Sequence, residues 1–296
     1  MEWQQILSFY HVAKLGSFTK AAEATFRTQS AISQQIRNLE VELECQLLER
    51  IGRRRIRLTS AGEKFFNFSN CVLEKYDALS EELKEARDLQ IGQLRMAASF
   101  TTLYHLFPSA LKKYIRSFPN VKLIILDRPQ QEILSLIKTG DIEFGLVLES
   151  NIKADLTAIR WKKVKSVVMT PMGHPLTRVK RIKLDQIADY PLILPPKNLR
   201  YRSALEKKFK ERRIDYHILM ESSNVELSAL YVEMGLGISF ATIVEDLPGL
   251  KDRKLEFLPL DHVFKPDNIV IAIRKDKMLS SYKNAFIKIL FEEFSA

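Results

Sequence analysis

Cysteine is nearly absent: Cys45 and Cys71 are the only two in 296 residues, with no C-x-x-C pair and no cysteine-histidine spacing of the zinc-site kind. A disulfide scaffold is thereby excluded, and no metal or cofactor is expected. No run of about 18 uncharged apolar residues occurs, which excludes a membrane-spanning helix. The opening residues Met1-Glu2-Trp3-Gln4-Gln5 lack the basic-then-apolar order of a secretory leader, so a cytoplasmic protein is expected. Also missing are G-x-S-x-G, G-x-x-x-x-G-K-[ST], H-E-x-x-H and G-x-G-x-x-G, and the histidines His11, His105, His174, His217 and His262 are widely scattered. Without a catalytic constellation, an enzyme is not expected.

What is present is 46% apolar content in a chain longer than one typical domain, enough for two or three packed units. A net charge of +10 and a pI near 9.4 suit a polyanionic partner. Many basic proteins have no such partner, so the charge directs attention without deciding anything.

Between Trp3 and Leu15, Ile6, Phe9, Val12 and Ala13 recur at three- and four-residue steps, one apolar helical stripe that Gly16 stops. Ser17 is placed to cap a second short helix whose Ala21, Ala22 and Ala24 leave room for a close crossing. Phe26-Arg27-Thr28 breaks the pattern, Thr28 caps again, and Ile32, Ile36, Leu39 and Leu43 mark the inner face of a third helix. Its outer face carries Gln29, Ser30, Ser33, Gln34 and Arg37 near the N-terminal end. Amides, hydroxyls and a guanidinium there can read base edges and phosphates in a major groove.

The same residues would also serve as a plain solvated face. The segment Arg50-Ile51-Gly52-Arg53-Arg54-Arg55-Ile56-Arg57-Leu58 weighs against that, because dense positive charge around a glycine turn suits a hairpin wing reaching a phosphate backbone or minor groove. Thr28, Gln29, Ser30, Ser33, Gln34, Arg37, Arg53, Arg54 and Arg55 are therefore the candidate contacts to double-stranded DNA.

A long helix comes next. Ser60 and Glu63 make a capping-box pair, and Phe65, Phe68, Val72, Tyr76, Leu79, Leu83 and Ala86 repeat as a coiled-coil seam. A helix of about 30 residues spans roughly 45 Å, more than one winged domain covers, so the stripe points to a second copy of the chain. Burial against the chain's own C-terminal half is the alternative.

After Gly92 the rhythm changes to strands alternating with helices: 94–98, helix 106–118, 121–126, helix 132–138 and 144–148. A second series has strands near 166–170, 192–194 and 218–221 and helices near 202–212 and 225–234, and a late strand, 268–273, precedes a closing helix, 282–294. Parallel sheets in two α/β subdomains are expected. In such sheets ligands bind beyond the carboxyl ends of strands, which draws attention to Ser99-Phe100-Thr101-Thr102. Ser and Thr before a helix also serve as simple caps.

The sequence resembles the LysR-type transcriptional regulators through Phe9, Gly16-Ser17-Phe18, Ala21-Ala22, Gln29-Ser30-Ala31-Ile32-Ser33-Gln34-Gln35-Ile36-Arg37, Leu39-Glu40, Leu47-Leu48-Glu49-Arg50 and Leu58-Thr59-Ser60-Ala61-Gly62. The order of elements matches over the whole chain. The resemblance implies that Gln29 to Arg37 is the recognition helix; it departs at Ser30, where many relatives have proline, and at Gln34, where many have arginine. It further implies an effector cleft at Ser99, Thr101 and Thr102, at Leu148-Glu149-Ser150 and at Pro196 to Arg200, including Asn198 and Arg200, with Asn224 joining them. Arg128 and Arg200 suit an anion and Glu149 an amino group, so a small acidic or amino-acid-like effector is implied. A homodimer assembling to a homotetramer, contact with RNA polymerase and effector-dependent DNA bending are implied by the same resemblance. The hydroxyl run from Ser99 also looks like the branch controlling cysteine biosynthesis. A redox sensor would need cysteines after Gly92, and there are none.

The expected fold is thus α+β and multidomain: a winged helix-turn-helix at 1–58, a linker helix at 59–91, and at 92–296 a domain resembling periplasmic binding proteins. Its first subdomain takes 92–162 and 267–296, its second 163–266. The alternative function is a cytoplasmic small-molecule-binding protein without a gene-regulatory role, which leaves the first ninety residues unexplained.

Overall fold

A computed structural model describes residues 1–51, 55–85, 91–197, 200–244, 250 and 252–293, with the backbone alone described at Arg50, Ile51, Arg55, Glu82, Lys84, Glu85 and Arg200. The chain divides into two compact units, residues 1–89 and 90–296.

The first unit runs α1 (Trp3–Leu15), α2 (Phe18–Ala24), α3 (Gln29–Glu42), a hairpin of β1 (Leu48–Ile51) and β2 (Arg55–Leu58), and the long α4 (Ser60–Glu85). Local chemistry sets the boundaries. Gly16 turns left-handed at φ 62° to end α1, Ser17 accepts the Lys20 N–H at 3.3 Å, and Thr28 accepts the Ala31 N–H at 3.2 Å. Phe9, Val12, Ala21, Ala22, Ile32, Ile36, Leu39 and Leu47 form the core.

Two expectations need correction. Leu43, expected on the inner face of the third helix, caps its end and is exposed, because α3 stops at Glu42. Thr59, and not Ser60, caps α4: its hydroxyl accepts the Gly62 N–H at 2.9 Å and donates to the Gln46 carbonyl at 2.7 Å. One side chain thereby closes the helix and ties it to the segment before the wing. Gly62 is needed there, since a β-carbon would stand 2.0 Å from the Leu47 carbonyl oxygen.

The second unit runs β3 (Gly92–Ala98), α5 (Phe100–Leu106), α6 (Pro108–Ser117), β4 (Val121–Asp127), α7 (Gln130–Lys138), β5 (Phe144–Leu148), β6 (Leu156–Pro171), α8 (Leu184–Ala188), β7 (Leu192–Leu194), α9 (Arg200–Glu211), β8 (Ile218–Glu221), α10 (Val225–Glu233), β9 (Ile238–Val244), β10 (Leu255–Pro259), β11 (Asp267–Arg274) and α11 (Ser281–Glu292). The strands share one sheet in the order β4-β3-β5-β11-β6-β9-β7-β8, with β10 also on β6.

The sheet is not purely parallel as expected. Parallel groups β4-β3-β5 and β9-β7-β8 flank an antiparallel centre of β11 and β6. The 16-residue β6 pairs with β11 over Leu156 to Val164, then with β9 and β10 over Val164 to Pro171, so one strand passes from one half of the sheet into the other. The helix expected over 106–118 corresponds to α6, and a further short helix that was not expected, α5, precedes it; the two are broken before Pro108, whose ring removes an N–H and favours the first helical position.

Candidate DNA interface and effector cleft

On α3, Ile32, Ile36 and Leu39 turn into the core, which forces Gln29, Ser30, Gln34 and Arg37 onto the exposed side, with Ser33 half-buried beside them. These polar groups are lightly engaged. Ser30 and Thr28 share a hydroxyl contact at 3.0 Å, and the Gln34 amide donates to Asn38 at 2.8 Å. Glu40 ties α3 to the start of the wing: one carboxylate oxygen accepts the Leu47 and Leu48 N–H groups at 2.8 and 3.1 Å. A hollow of about 570 Å³ lined by Phe18, Ser33, Arg37, Glu40, Leu48 and Glu49 lies between α3 and β1.

The wing is an antiparallel pair with Glu49 opposite Arg57 and Ile51 opposite Arg55. Arg53 and Arg54 lie outside the described residues, and Arg55 is placed by its backbone in β2. Along α4, Phe65 packs edge-on to Phe9 at 5.0 Å and belongs to the winged core, which corrects its assignment to the seam. Phe68, Tyr76, Leu79 and Leu83 remain 44, 55, 52 and 57% exposed. Ala86 lies outside the described residues.

In the second unit the described candidate effector residues come soon after the carboxyl ends of parallel strands: Ser99, Thr101 and Thr102 after β3, Arg128 after β4, Glu149 after β5, Arg200 after β7, and Asn224 after β8. The Arg128 N–H donates to the Ala98 carbonyl at 3.1 Å, which sets the β3 and β4 ends side by side. Ser99 and Thr102 share a hydroxyl contact at 3.1 Å. The Thr101 hydroxyl donates to Glu226 of α10 at 3.5 Å, and His105 meets the other oxygen of that carboxylate at 2.5 Å, with side chains 1 and 14% exposed. Helices α5 and α10, from opposite halves of the sheet, are joined there.

Two candidates are already committed. Glu149 accepts from Arg160 Nε at 2.8 and 3.0 Å and from Asn268 Nδ2 at 2.7 Å, and these partners hold its carboxyl below the usual carboxylate range. It is therefore not the free acceptor for an amino group that the sequence suggested. Asn224 caps α10, its side-chain oxygen accepting the Leu227 N–H at 2.9 Å. Arg128 is half-exposed beside Glu132 at 3.5 Å. Asn198 lies outside the described residues, and Arg200 is placed only as the first residue of α9.

Residues 3–63 match the family of bacterial regulatory helix-turn-helix proteins of the lysR family, and residues 87–295 match the LysR substrate binding domain. The chain belongs to the LysR family. Among named relatives, the HTH-type transcriptional activator CmpR of Synechocystis sp. is 31% identical over 96% of this chain and 92% of its own length. The HTH-type transcriptional regulator CysB of Burkholderia cenocepacia is 27% identical over 93% of this chain and 88% of its own. The resemblance to regulators of the cysteine branch therefore holds. A full-length OxyR variant from Pseudomonas aeruginosa superposes with a TM-score of 0.69 at 22% identity, covering 99% of this chain and 94% of that one.

This LysR-type regulator thus has the expected multidomain fold, a helix-turn-helix DNA-binding domain followed by an effector-binding domain resembling periplasmic binding proteins. No described helix is long and apolar enough to cross a membrane. Glu226 is not among the site residues expected from the sequence, and His105 figures there only as one of five scattered histidines. Neither carries a local signal: their pairing arises only when β3 and β8 deliver α5 and α10 to the same place.

Proposed function

We propose that this regulator reads duplex DNA with Thr28, Gln29, Ser30, Ser33, Gln34 and Arg37 and grips the backbone with Arg53, Arg54 and Arg55. One observation carries the reading: the core of α3 leaves the amide and hydroxyl groups outward at the helix front, immediately beside an arginine-bearing hairpin. A homodimer through the exposed Phe68, Tyr76, Leu79 and Leu83 supplies two such surfaces, and two dimers form the homotetramer. The protein works in the cytoplasm, is not an enzyme, needs no cofactor, and meets RNA polymerase at promoters.

The effector is a small acidic or amino-acid-like molecule held by Ser99, Thr101 and Thr102, with Arg128, Asn198 and Arg200 near its charge. Support comes from the donor set itself, because a hydroxyl and an imidazole of α5 already hold a carboxylate, that of Glu226. An anionic effector exchanges with it, changes the closure of the two α/β halves, and alters the bend imposed on DNA.

The test is footprinting and bend measurement on a selected DNA fragment, with and without a molecule that raises the melting temperature of the full chain in a screen of small anions and amino-acid derivatives. Changed protection or bending is expected. Identical footprints and bends with a stabilising ligand bound would sink the coupling, and the absence of any salt-sensitive sequence preference would sink the DNA reading.

A further inference from the structure

Helix α2 closes with a turn that favours glycine, yet the residue there is phenylalanine. The Phe26 N–H donates to the Glu23 carbonyl at 3.2 Å and the Arg27 N–H to the Ala22 carbonyl at 2.9 Å, the bond pair that seals a helix when the chain turns left-handed. Phe26 has φ 54°, while Gly16 at 62° and Gly235 at 76° take that conformation after α1 and α10. A β-carbon in this region crowds its own backbone, which is why glycine or asparagine is usual there.

Burial of a side chain commonly offsets such strain, and here it does not: Phe26 is 98% exposed. Among the described residues its ring has no aromatic or cationic partner. The other non-glycine residues with positive φ in the described chain, Glu44 and Arg213, are polar and suited to water. Phe26 thus combines a strained backbone with a hydrated ring, and side-chain burial offsets neither cost. It stands two residues before Thr28, the cap of α3, next to the front that carries Gln29 and Ser30.

We infer that Phe26 is a DNA-contact residue whose ring extends the polar reading surface with an apolar knob that packs on a thymine C5-methyl, the apolar group a major groove presents. The inference rests on the DNA-binding reading above and adds a preference that amides and hydroxyls cannot supply. The strain is retained because the ring acts only when the duplex arrives.

The test uses the full chain and Phe26→Asn, with a duplex that the unaltered chain selects from a random-sequence pool, prepared with thymine or with deoxyuridine. Asparagine accepts the left-handed backbone, so the variant melts higher than the parent while binding the thymine duplex at least about fourfold more weakly, the factor expected for one methyl group. Deoxyuridine weakens the parent by a similar factor and leaves Phe26→Asn unchanged. Equal affinities of the two proteins, an equal deoxyuridine effect in both, or a change in oligomeric mass in place of affinity overturns the assignment. Failure of the parent to select any duplex refutes instead the DNA-binding reading beneath it.

Discussion

The two units place their polar groups in opposite ways. On residues 1–89 the described candidate contacts at the front of α3 are exposed, apart from half-buried Ser33, and their side chains bond only to near neighbours, Thr28 with Ser30, Gln29 with Thr19 and Gln34 with Asn38, whereas on 90–296 Ser99 is tied to Thr102, Thr101 to Glu226, and Glu149 to Arg160 and Asn268. Charge divides just as unevenly. Residues 1–89 hold 13 Lys and Arg against 13 Asp and Glu, so the chain's whole excess of ten positive charges lies in 90–296. Net charge therefore points away from the helix-turn-helix half, and local placement, five arginines between positions 50 and 57, marks the proposed reading surface. A DNA reader can leave its donors to water until a duplex replaces that water. A sensing cleft needs internal partners that hold the empty form and that a ligand can exchange.

The largest test of this contrast concerns whether the units stand separately. Gly62→Ala pushes a β-carbon into the Leu47 carbonyl and should cost the first unit about 3 kcal/mol, seen in calorimetry as one transition moving down while that of 90–296 stays. Coupled movement of both transitions would break the comparison. Next in size, Gln29→Ala or Gln34→Ala should weaken binding to a selected duplex by about 1–3 kcal/mol and leave random DNA nearly unaffected, measured by titration at fixed salt. Arg53→Ala or Arg55→Ala should act the other way, lowering affinity for all duplexes and reducing the slope of log affinity against log salt by about 1. Equal losses on both kinds of DNA for all four variants would remove the division of labour.

The smallest effect sharpens the view of the sensing half. Arg160 and Asn268 lower the Glu149 carboxyl, so its contribution to stability is present above the ordinary carboxylate range and disappears as pH falls through the lowered value. The melting temperatures of the parent and Glu149→Gln should therefore differ slightly at pH 7 and converge as the pH falls below the ordinary carboxylate range. A gap unchanged by acid would show that the carboxylate is not held by its partners.

Much was legible without coordinates because it is set by local rules. Gly16, Ser17 and Thr28 punctuate the first helices through backbone geometry and caps, and the three- and four-step spacing of Ile32, Ile36 and Leu39 settles which face of α3 turns outward. The strands β3, β4 and β5 announce themselves by apolar runs between helical patterns, and with them the position of Ser99 to Thr102 at a strand's carboxyl end. Strands β9 and β10 were missed, since Ile238 to Val244 and Leu255 to Pro259 are short apolar runs that look alike in helix and sheet. The antiparallel centre was missed for another reason: strand direction depends on partners distant in sequence, and β6 meets β11 about a hundred residues away.

What the amino-acid order determined by itself is most of the elements, the inner and outer faces of the first helices, and the concentration of arginine at the wing, all consequences of interactions within a few residues. Tertiary structure alone decided which side chains meet: that Glu226 closes on Thr101 and His105, that Arg160 takes Glu149, and that Gly62 leaves room for Leu47. Those pairings require chain segments far apart in sequence to be brought to contact distance, and packing of the whole core fixes that distance where no local pattern records it.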